Sequence, residues 1–355
     1  MPPQTSSTQQ NTQSNTSASS ASGSQPPCLL PSSRVTRATV PLPRFRRQYG
    51  PLGEPGVDLP PTCRILRKDD GGLPSKHFKY RVGRKKFHIK YGKFVPWTGV
   101  IAQVVAARGL AEMGSTAMVP KIYHAFEVED TGVVYIVMEH IDGRTIQKIL
   151  SDDECVPGLA AEAGRALLDL AHIPLPEGSR PSAVDGGMIL DQFFDAEVID
   201  GALRHYWDAG QLEAHINLYL SRCMCWRTRE REERRLKGMS HEALALRQGD
   251  VSPSNFMKDK QGRLWLIDFR QVNILPASFI SYSLKCSWID RGLDRDDKCF
   301  AMFPVTENVL ALQAARSHMR AWDIDDVFTG AGLQVPGADL ETSQKISELP
   351  PPFVI

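Results

Sequence analysis

The sequence lacks the features that mark several large classes of protein. Its longest continuous apolar stretch, Val133–Met138, is far too short for a helix that crosses a bilayer, so no membrane segment is expected. The N-terminal residues have neither the basic start nor the apolar core of a secretory signal. The formal net charge is only +1, which gives no reason to expect a nucleic acid or a membrane surface as a partner.

Cysteine is sparse and scattered along the chain. Of the seven cysteines only Cys223 and Cys225 lie close together, and their spacing does not fit a zinc finger or a zinc ribbon. The pattern is typical of reduced thiols in a reducing compartment. The protein is therefore expected in the cytoplasm, with the nucleus left open.

The composition that remains is that of an ordinary globular protein. Hydrophobic residues make up 42% of the 355 residues and charged residues 23%. The length suits two lobes, or one domain with tails. Residues 1–61 are predicted to be a disordered low-complexity tail and a Pro- and Arg-rich linker, because they hold few apolar side chains. Residues 330–355 are predicted to be a C-terminal tail.

The hydrophobic periodicity predicts strands in the first part of the folded chain and helices in the second. The hairpin expected near its start turns at Gly83. In chain order the predicted elements are two strands within His77–Lys90, a helix over Trp97–Met113, a strand over Val133–Glu139, and helices over Leu159–Ala171 and Asp208–Arg235.

Two neighbouring segments carry residues suited to phosphoryl transfer. In Gln248–Asn255, an aspartate at position 250 opens a loop and an asparagine follows five positions later. A predicted hairpin then delivers Asp268 at the end of an apolar strand. One carboxylate can orient and deprotonate an acceptor hydroxyl, while an amide oxygen and a second carboxylate can bind Mg²⁺ on nucleotide phosphates. Each segment alone reads equally well as an ordinary loop.

These segments resemble the aminoglycoside phosphotransferase-like family, relatives of choline and fructosamine kinases with a protein-kinase-like fold. The family's loop motif is H-G-D-x-x-x-x-N, matched by Gln248-Gly-Asp and Asn255, and its I-D-[FW] strand end is matched by Ile267-Asp-Phe. The resemblance implies that Asp250 is the catalytic base and that Asn255 and Asp268 bind Mg²⁺. The segment Leu167–Asp195 resembles fungal-type members of the family.

The resemblance extends towards the N-terminus. Val133–Gly143 is similar to the family's strand and hinge, which implies that the backbone near Glu139, His140 and Ile141 binds adenine. Phe87–Gly92 is similar to the strand that carries the nucleotide-binding lysine, here Lys90. Without a functional role, Val133–Gly143 would be a buried strand that ends in a turn, and Lys90 would be a solvated lysine.

The sequence departs from the family pattern at three places. Gln248 replaces the usual histidine, and an amide can still donate the hydrogen bond that supports the loop. Gln103 stands where a glutamate should pair with Lys90, so a weaker bond between Gln103 and Lys90 is expected. No clear glycine-rich phosphate loop is found: Gly83 lies in a plausible hairpin but is a single glycine, and Gly71-Gly72 lies early in the chain for this role.

The predicted fold is α+β and bilobal. A small sheet lobe with one helix spans residues 62–140, and a larger, mainly helical lobe spans residues 141–329. The predicted activity is transfer of the γ-phosphoryl group of ATP, with Mg²⁺, to a hydroxyl group of a small molecule. The acceptor and the oligomeric state cannot be read from the sequence, but the acidic residues that could line an acceptor pocket are Asp191, Asp195, Glu197, Asp290, Asp294, Asp296 and Asp297.

Two other functions remain open at this stage. One is a degenerate kinase-like protein that binds a nucleotide or acts as a scaffold, which the glutamines at positions 103 and 248 motivate. The other is a protein kinase. Gly249 and Arg270 argue against it, because protein kinases have Arg and Gly at these places.

Overall fold

The computed structural model describes residues 44–50, 58–66, 75–152, 158–194, 205–222, 235–289, 306–319, 345 and 348–353. The chain divides after Pro41, and all of the described residues lie in the second unit, Leu42–Ile355. Most of the predicted N-terminal and C-terminal tails therefore lie outside the described residues. None of the described helices combines the length and the apolar character that crossing a bilayer requires.

A five-stranded antiparallel sheet forms the N-terminal part of the fold. Its strands, in the order β1-β4-β5-β3-β2, are β1 (Phe45–Tyr49), β4 (Ile122–Val128), β5 (Val134–Glu139), β3 (Lys85–Gly92) and β2 (Lys76–Val82). The two strands predicted within His77–Lys90 and the strand predicted over Val133–Glu139 are confirmed. The linker predicted through Pro61 is wrong for Phe45–Tyr49, which pairs with β4 because Phe45 packs against Phe126.

Apolar side chains cover one face of this sheet and the β4–β5 part of the other face. Phe87, Ile89 and Tyr135 belong to the buried cluster on one face. On the other face Ile136 and Met138 meet helix α2 (Trp97–Glu112), which follows the short helix α1 (Thr62–Ile65) in the chain. The predicted helix over Trp97–Met113 is confirmed, and Gly114 follows it in a left-handed conformation that ends a helix without strain.

The second part of the fold combines helices with two small antiparallel sheets. The helices are α3 (Ile146–Ser151), α4 (Leu159–Ala171), α5 (Ala209–Arg222), α6 (Ala277–Lys285) and α7 (Glu307–Met319). One sheet has the order β10-β9-β6, formed by Leu264–Leu266, Phe256–Asp259 and Gly143–Thr145. The other has the order β7-β11-β8, formed by Ser182–Ala183, Val272–Pro276 and Leu244–Gln248.

The predicted α+β class is confirmed, with differences in the second part. The helix over Leu159–Ala171 has the predicted bounds. The helix predicted over Asp208–Arg235 begins at Ala209 and is described to Arg222, and residues 223–234 lie outside the described residues. Strands β8 and β11 were not predicted, because buried strands of five residues carry no alternation that separates them from loops.

Helix α2 contacts both parts of the fold and so positions the site. Val100 and Val104 pack against the five-stranded sheet. Ile101 and Val105 belong to the core cluster of the second part. At its first turn, Gly99 lies so close to Arg270 that a Cβ atom there would be 3.5 Å from the Arg270 Cα. The helix thereby connects the five-stranded sheet with the segment after β10.

Candidate active site

The loop that follows strand β8 is held in shape by its own polar groups. Gln248 ends the strand, and a 3₁₀ turn over Pro253–Asn255 leads into β9. The Asn255 side-chain nitrogen donates to the Asp250 carbonyl oxygen at 3.0 Å, which closes the loop between them. Since the amide nitrogen is used in this way, the Asn255 Oδ1 atom is left to accept a weak 3.4 Å bond from Ser254 or to bind a cation.

Asp268 lies beside this loop in an unusual backbone conformation. The Ile267 N–H donates to the Asn255 carbonyl oxygen at 2.9 Å, which brings the segment after β10 against the loop. Asp268 has φ 58° and ψ 82° and is the only residue other than glycine with positive φ in the described part of the chain. Such a conformation costs free energy and concentrates at functional sites.

Lys90 of strand β3 forms an ion pair with Asp268 and so connects the sheet to the segment after β10. Its Nζ atom lies 2.8 Å from Asp268 Oδ1, and the two side chains are 22% and 35% exposed. Burial raises the pKa of Asp268, but the Lys90 ammonium and then Arg270 outweigh it, so that the pKa lies below its ordinary value. Asp268 is therefore a carboxylate at neutral pH.

Gln248 forms a hydrogen bond to the segment that contains Asp268. Its side-chain nitrogen donates to the Asp268 carbonyl oxygen at 3.0 Å, so the backbone of Asp268 is held from strand β8. The Gln248 Oε1 atom is buried without a hydrogen-bond partner. The glutamine thus provides the supporting bond that was expected of it, and leaves one acceptor unsatisfied.

Gln103 does not take the place predicted for it. Its side chain is buried, and its amide nitrogen donates to the Pro120 carbonyl oxygen at 2.6 Å and contacts the Met138 sulfur at 3.8 Å. A buried amide must find an acceptor, and the nearest one lies in the backbone before β4. The expected bond between Gln103 and Lys90 is therefore wrong, and the partner of Lys90 is Asp268.

A cavity of about 530 Å³ lies between the five-stranded sheet and the Asn255 and Asp268 segments. Its walls include six of the residues predicted to bind nucleotide and metal, which the structure brings together from two strands and three connecting segments: Lys90, Glu139, His140, Ile141, Asn255 and Asp268. Gln103 lines it as well, whereas Gly83 does not. The Glu139 N–H is bonded to the Lys121 carbonyl oxygen at 2.8 Å and is not free for a ligand.

A second cavity, of about 880 Å³, lies on the other side of the loop. Asp250 lines this cavity together with polar and aromatic side chains such as Gln147, Tyr282 and Trp288. Asn255 lines the first cavity and Asp250 lines the second, so the loop that carries both residues lies between the two cavities. This arrangement can hold a phosphate donor on one side and an acceptor on the other.

Most of the acidic residues predicted to line an acceptor pocket are not tested. Asp195, Glu197, Asp290, Asp294, Asp296 and Asp297 lie outside the described residues. Asp191 is described and is fully buried, where it pairs with Arg247 instead of lining the cavity. The Asp191 part of that prediction is therefore wrong.

The ion pair between Asp191 and Arg247 was missed by sequence reasoning. Arg247 lies on β8 three residues before Asp250, donates to Ser283 Oγ at 2.5 Å, and has its guanidinium 5.2 Å from the Phe279 ring centre. Asp191 also lies directly against the loop. A Cβ atom on Gly249 would be only 2.5 Å from the Asp191 Oδ2 atom. An arginine directly after the apolar run Leu244–Leu246 was the available signal, since a buried cation requires a partner.

The chain has a protein-kinase-like fold. Its antiparallel sheet with one helix, the lysine of β3, and the Asp–Asn loop followed by a hairpin and a second aspartate occur in the order that this fold requires. The sequence matches no protein-family model and no curated protein.

Similar solved structures come from phosphotransferases of small molecules. The crystal structure of aminoglycoside phosphotransferase APH(4)-Ia has a TM-score of 0.47 and 14% identity, over 72% of this chain and 83% of that one. A ternary complex of its thermostable mutant with AMP-PNP and hygromycin B has a TM-score of 0.45 and 14% identity, with the same coverage. Choline kinase LicA from Streptococcus pneumoniae has a TM-score of 0.33 and 12% identity, over 76% of this chain and 88% of that one.

Proposed function

We propose that this protein is an ATP-dependent phosphotransferase that moves the γ-phosphoryl group to a hydroxyl group of a small molecule. One observation carries the proposal. The loop from Asp250 to Asn255 lies between the first cavity, which we call the donor cavity, and the second, which we call the acceptor cavity. The pair of Lys90 and Asp268 also lines the donor cavity. Phosphoryl transfer needs a donor and an acceptor on opposite sides of one set of polar groups.

Each residue has a role that its contacts support. Asp250 orients the acceptor hydroxyl and takes its proton, because its carboxylate lines the acceptor cavity. Lys90 binds the phosphates of the nucleotide, and the hinge from Glu139 to Ile141 binds its base. Gln248 holds the backbone of Asp268 in position.

The donor set at Asn255 and Asp268 fits Mg²⁺. Carboxylate and amide oxygens are hard ligands, and Mg²⁺ uses few protein groups when it is bound to phosphates. Within the described residues no group of three or more His, Cys, Asp or Glu side chains could hold a metal ion, which suits a site completed by a nucleotide. When bound, Mg²⁺ would neutralise charge on the phosphates.

A nucleotide-binding protein without transferase activity is the second candidate. It is favoured by Gln103, which leaves Lys90 without an acidic partner on α2 and with Asp268 as its partner instead. In that case the carboxylate that should bind Mg²⁺ would stay with Lys90. Nucleotide binding would then occur without dependence on Mg²⁺.

The experiment is a thermal melt of the full chain with ATP, with and without MgCl₂. Ligand at a hundredfold excess over Kd stabilises a native protein by about 2.7 kcal/mol. We expect a shift that requires Mg²⁺ and is lost in Asp268→Asn. The matched control is Asp152→Asn, the same change at an acid that pairs with Lys148 at a distance of 2.6 Å. Asp152 lines neither cavity.

The outcomes separate the two candidates. A shift that requires Mg²⁺, followed by hydroxyl phosphorylation that Asp250→Ala abolishes, supports the transferase. An equal shift with and without Mg²⁺ supports the nucleotide-binding protein. Absence of any shift, in a protein that melts cooperatively, contradicts both.

A further inference from the structure

One face of the hairpin formed by β2 and β3 consists entirely of basic residues. In this antiparallel pair His77 lies opposite Lys90, Lys79 opposite His88, and Arg81 opposite Lys86. Directly opposed residues, and residues two apart on a strand, share a face of the sheet. The residues on this face are His77, Lys79, Arg81, Lys86, His88 and Lys90.

The register that creates this face is set by the opposite one. Of the alternate residues of both strands, Lys76 and Lys85 stand at the first position of their strands. The others are apolar or aromatic and belong to the cluster that fills the outer side of the sheet: Phe78, Tyr80, Val82, Phe87, Ile89 and Tyr91. A slip by one residue would bury the basic side chains and expose these. The basic face is therefore a fixed feature of the fold.

The cations of this face have little compensation. Lys90 pairs with Asp268, whereas no ion pair within the described residues involves Lys79, Arg81 or Lys86. Burial lowers the pKa of His88 to about 4, and its positively charged neighbours act in the same direction: His77, His140, Lys90 and Lys79. Like charges that repel one another in a cleft attract an anion.

Only the inner part of the face reaches the donor cavity. Its lining includes His77 and Lys79 on β2, and Arg81 and Lys86 do not belong to it. His77 lies level with Lys90, whose Nζ is 2.8 Å from Asp268. It therefore lies at the end of the cavity where nucleotide phosphates would bind, and Lys79 lies roughly 7 Å further along the strand.

Protein kinases cover the phosphates at this end with a glycine-rich loop. Within the described residues, β2 is the edge strand of the sheet, and Ser75, which precedes it, also lines the cavity. Gly83, the glycine of the hairpin, lies in the turn at the opposite end of β2. Among the described residues, side chains of β2 thus line the end of the cavity where nucleotide phosphates would bind.

We propose that the side chains of His77 and Lys79 bind the phosphate groups of the nucleotide. The inference rests on the proposed function in that it takes the ligand of this cavity to be a nucleotide. Bonds from cations to phosphate oxygens are charge-assisted and stronger than those from neutral donors. They are also weakened by salt when they are exposed.

The test is calorimetric titration of the full chain with MgATP, AMP and inorganic tripolyphosphate. His77→Ala and Lys79→Ala are compared with Arg81→Ala and Lys86→Ala, which remove charge from the same face outside the cavity. We expect each of the first two changes to weaken binding of MgATP and tripolyphosphate about tenfold, the effect of one charge-assisted bond. AMP should be affected less, and His77→Lys should retain affinity.

The results distinguish this inference from the proposed function. If wild type binds MgATP and the His77 and Lys79 variants bind it equally well, the inference is overturned and the proposed function stands. Equal losses of affinity in all four alanine variants would also overturn the inference. They would indicate that the basic face acts through its overall electrostatic field, without a specific contact from His77 or Lys79. Wild type that binds neither MgATP nor tripolyphosphate contradicts both proposals.

Discussion

Lys90 and Asp268 are separated by 178 positions in the sequence and by 2.8 Å between Nζ and Oδ1 in the structure. Strand β3 supplies the cation and the segment after β10 supplies the carboxylate, while helix α2 packs against strands β4 and β5 of the same sheet and against the segment after β10. Because the two side chains are only partly exposed, the contact orders the end of the donor cavity where phosphates would bind.

Replacement of this lysine tests that role. We expect Lys90→Met to weaken MgATP binding by roughly ten- to a hundredfold, since hydrogen bonds to charged groups contribute about 1.5–3 kcal/mol. Lys86→Met, on the same strand but outside the cavity, should bind as wild type does. Titration calorimetry measures both, and unchanged affinity in Lys90→Met would contradict the assignment.

A methyl group on Gly249 should disturb the loop that runs from Gln248 to Asn255. Its Cβ would lie 2.5 Å from Asp191 Oδ2 and 3.1 Å from the Gln271 carbonyl oxygen. Asp191 cannot easily move, because it pairs with Arg247 and accepts from the Phe193 N–H at 2.8 Å. We expect Gly249→Ala to destabilise the fold by about 1–3 kcal/mol in urea denaturation.

The matched control for that change is Gly99→Ala in helix α2. There a Cβ would meet its nearest atom at 3.5 Å, an ordinary contact. Alanine also favours the helix over glycine by about 0.5–1 kcal/mol, so this variant should be as stable as wild type or more so. Similar losses in both variants would mean that the Asp191 contact is not responsible.

The hairpin that separates Asn255 from Asp268 depends on one carboxylate. Asp259 accepts hydrogen bonds from the N–H groups of Gln261 and Arg263, both at 2.9 Å, from the Arg263 side chain at 2.7 Å, and from Trp265 Nε1 at 2.9 Å. Burial raises its pKa, but these bonds outweigh the effect and lower the pKa to about 2.

Asp259→Asn should therefore destabilise the protein, because an amide cannot accept on both of its heavy atoms. The expected loss is roughly 1–3 kcal/mol at neutral pH. Since the folded pKa is depressed, this contribution is present above the ordinary pKa of 3.8 and is lost as the pH falls towards 2. Thermal melts from pH 7 to pH 3 should show the variant and wild type converging, and a constant difference would contradict the prediction.

His88 should make stability depend on pH in a higher range. It lies between Lys79 of β2 and Met138 of β5, and its pKa is lowered from 6.5 to about 4 by burial and then by the surrounding positive charges. The unfolded chain binds a proton between these values and the folded chain does not, so stability falls as the pH drops from above 6.5 towards 4.

His88→Gln should remove this part of the dependence. Between pH 7.5 and pH 5.5, wild type is expected to lose about 1–2 kcal/mol more than the variant, on the scale of 1.36 kcal/mol per pKa unit. Urea denaturation at the two pH values measures the difference. The other histidines are present in both proteins, so equal losses would show that the pKa of His88 is not lowered in the folded state.

The local chemistry of the site could be predicted from the sequence. Asp250, Asn255 and Asp268 lie within nineteen consecutive positions, and their spacing places them on one loop and one hairpin whatever surrounds them. The strands around Gly83 and the helix over Leu159–Ala171 followed from periodicity, because one face of each must be buried.

Contacts between distant segments were decided by the tertiary structure. The sequence led to Gln103 as the partner of Lys90, but packing turns Gln103 to the Pro120 carbonyl oxygen and leaves Asp268 to Lys90. In the same way, Asp191 is paired with Arg247 under Gly249 and cannot line an acceptor pocket.

The residues and their local spacing thus determined which chemistry is proposed for this chain. Which charge faces which cavity depended on the register of β2 on β3 and on the packing of α2 between the sheet and the loop. These relations arise from apolar faces that are buried together only in the folded chain, so no local pattern records them.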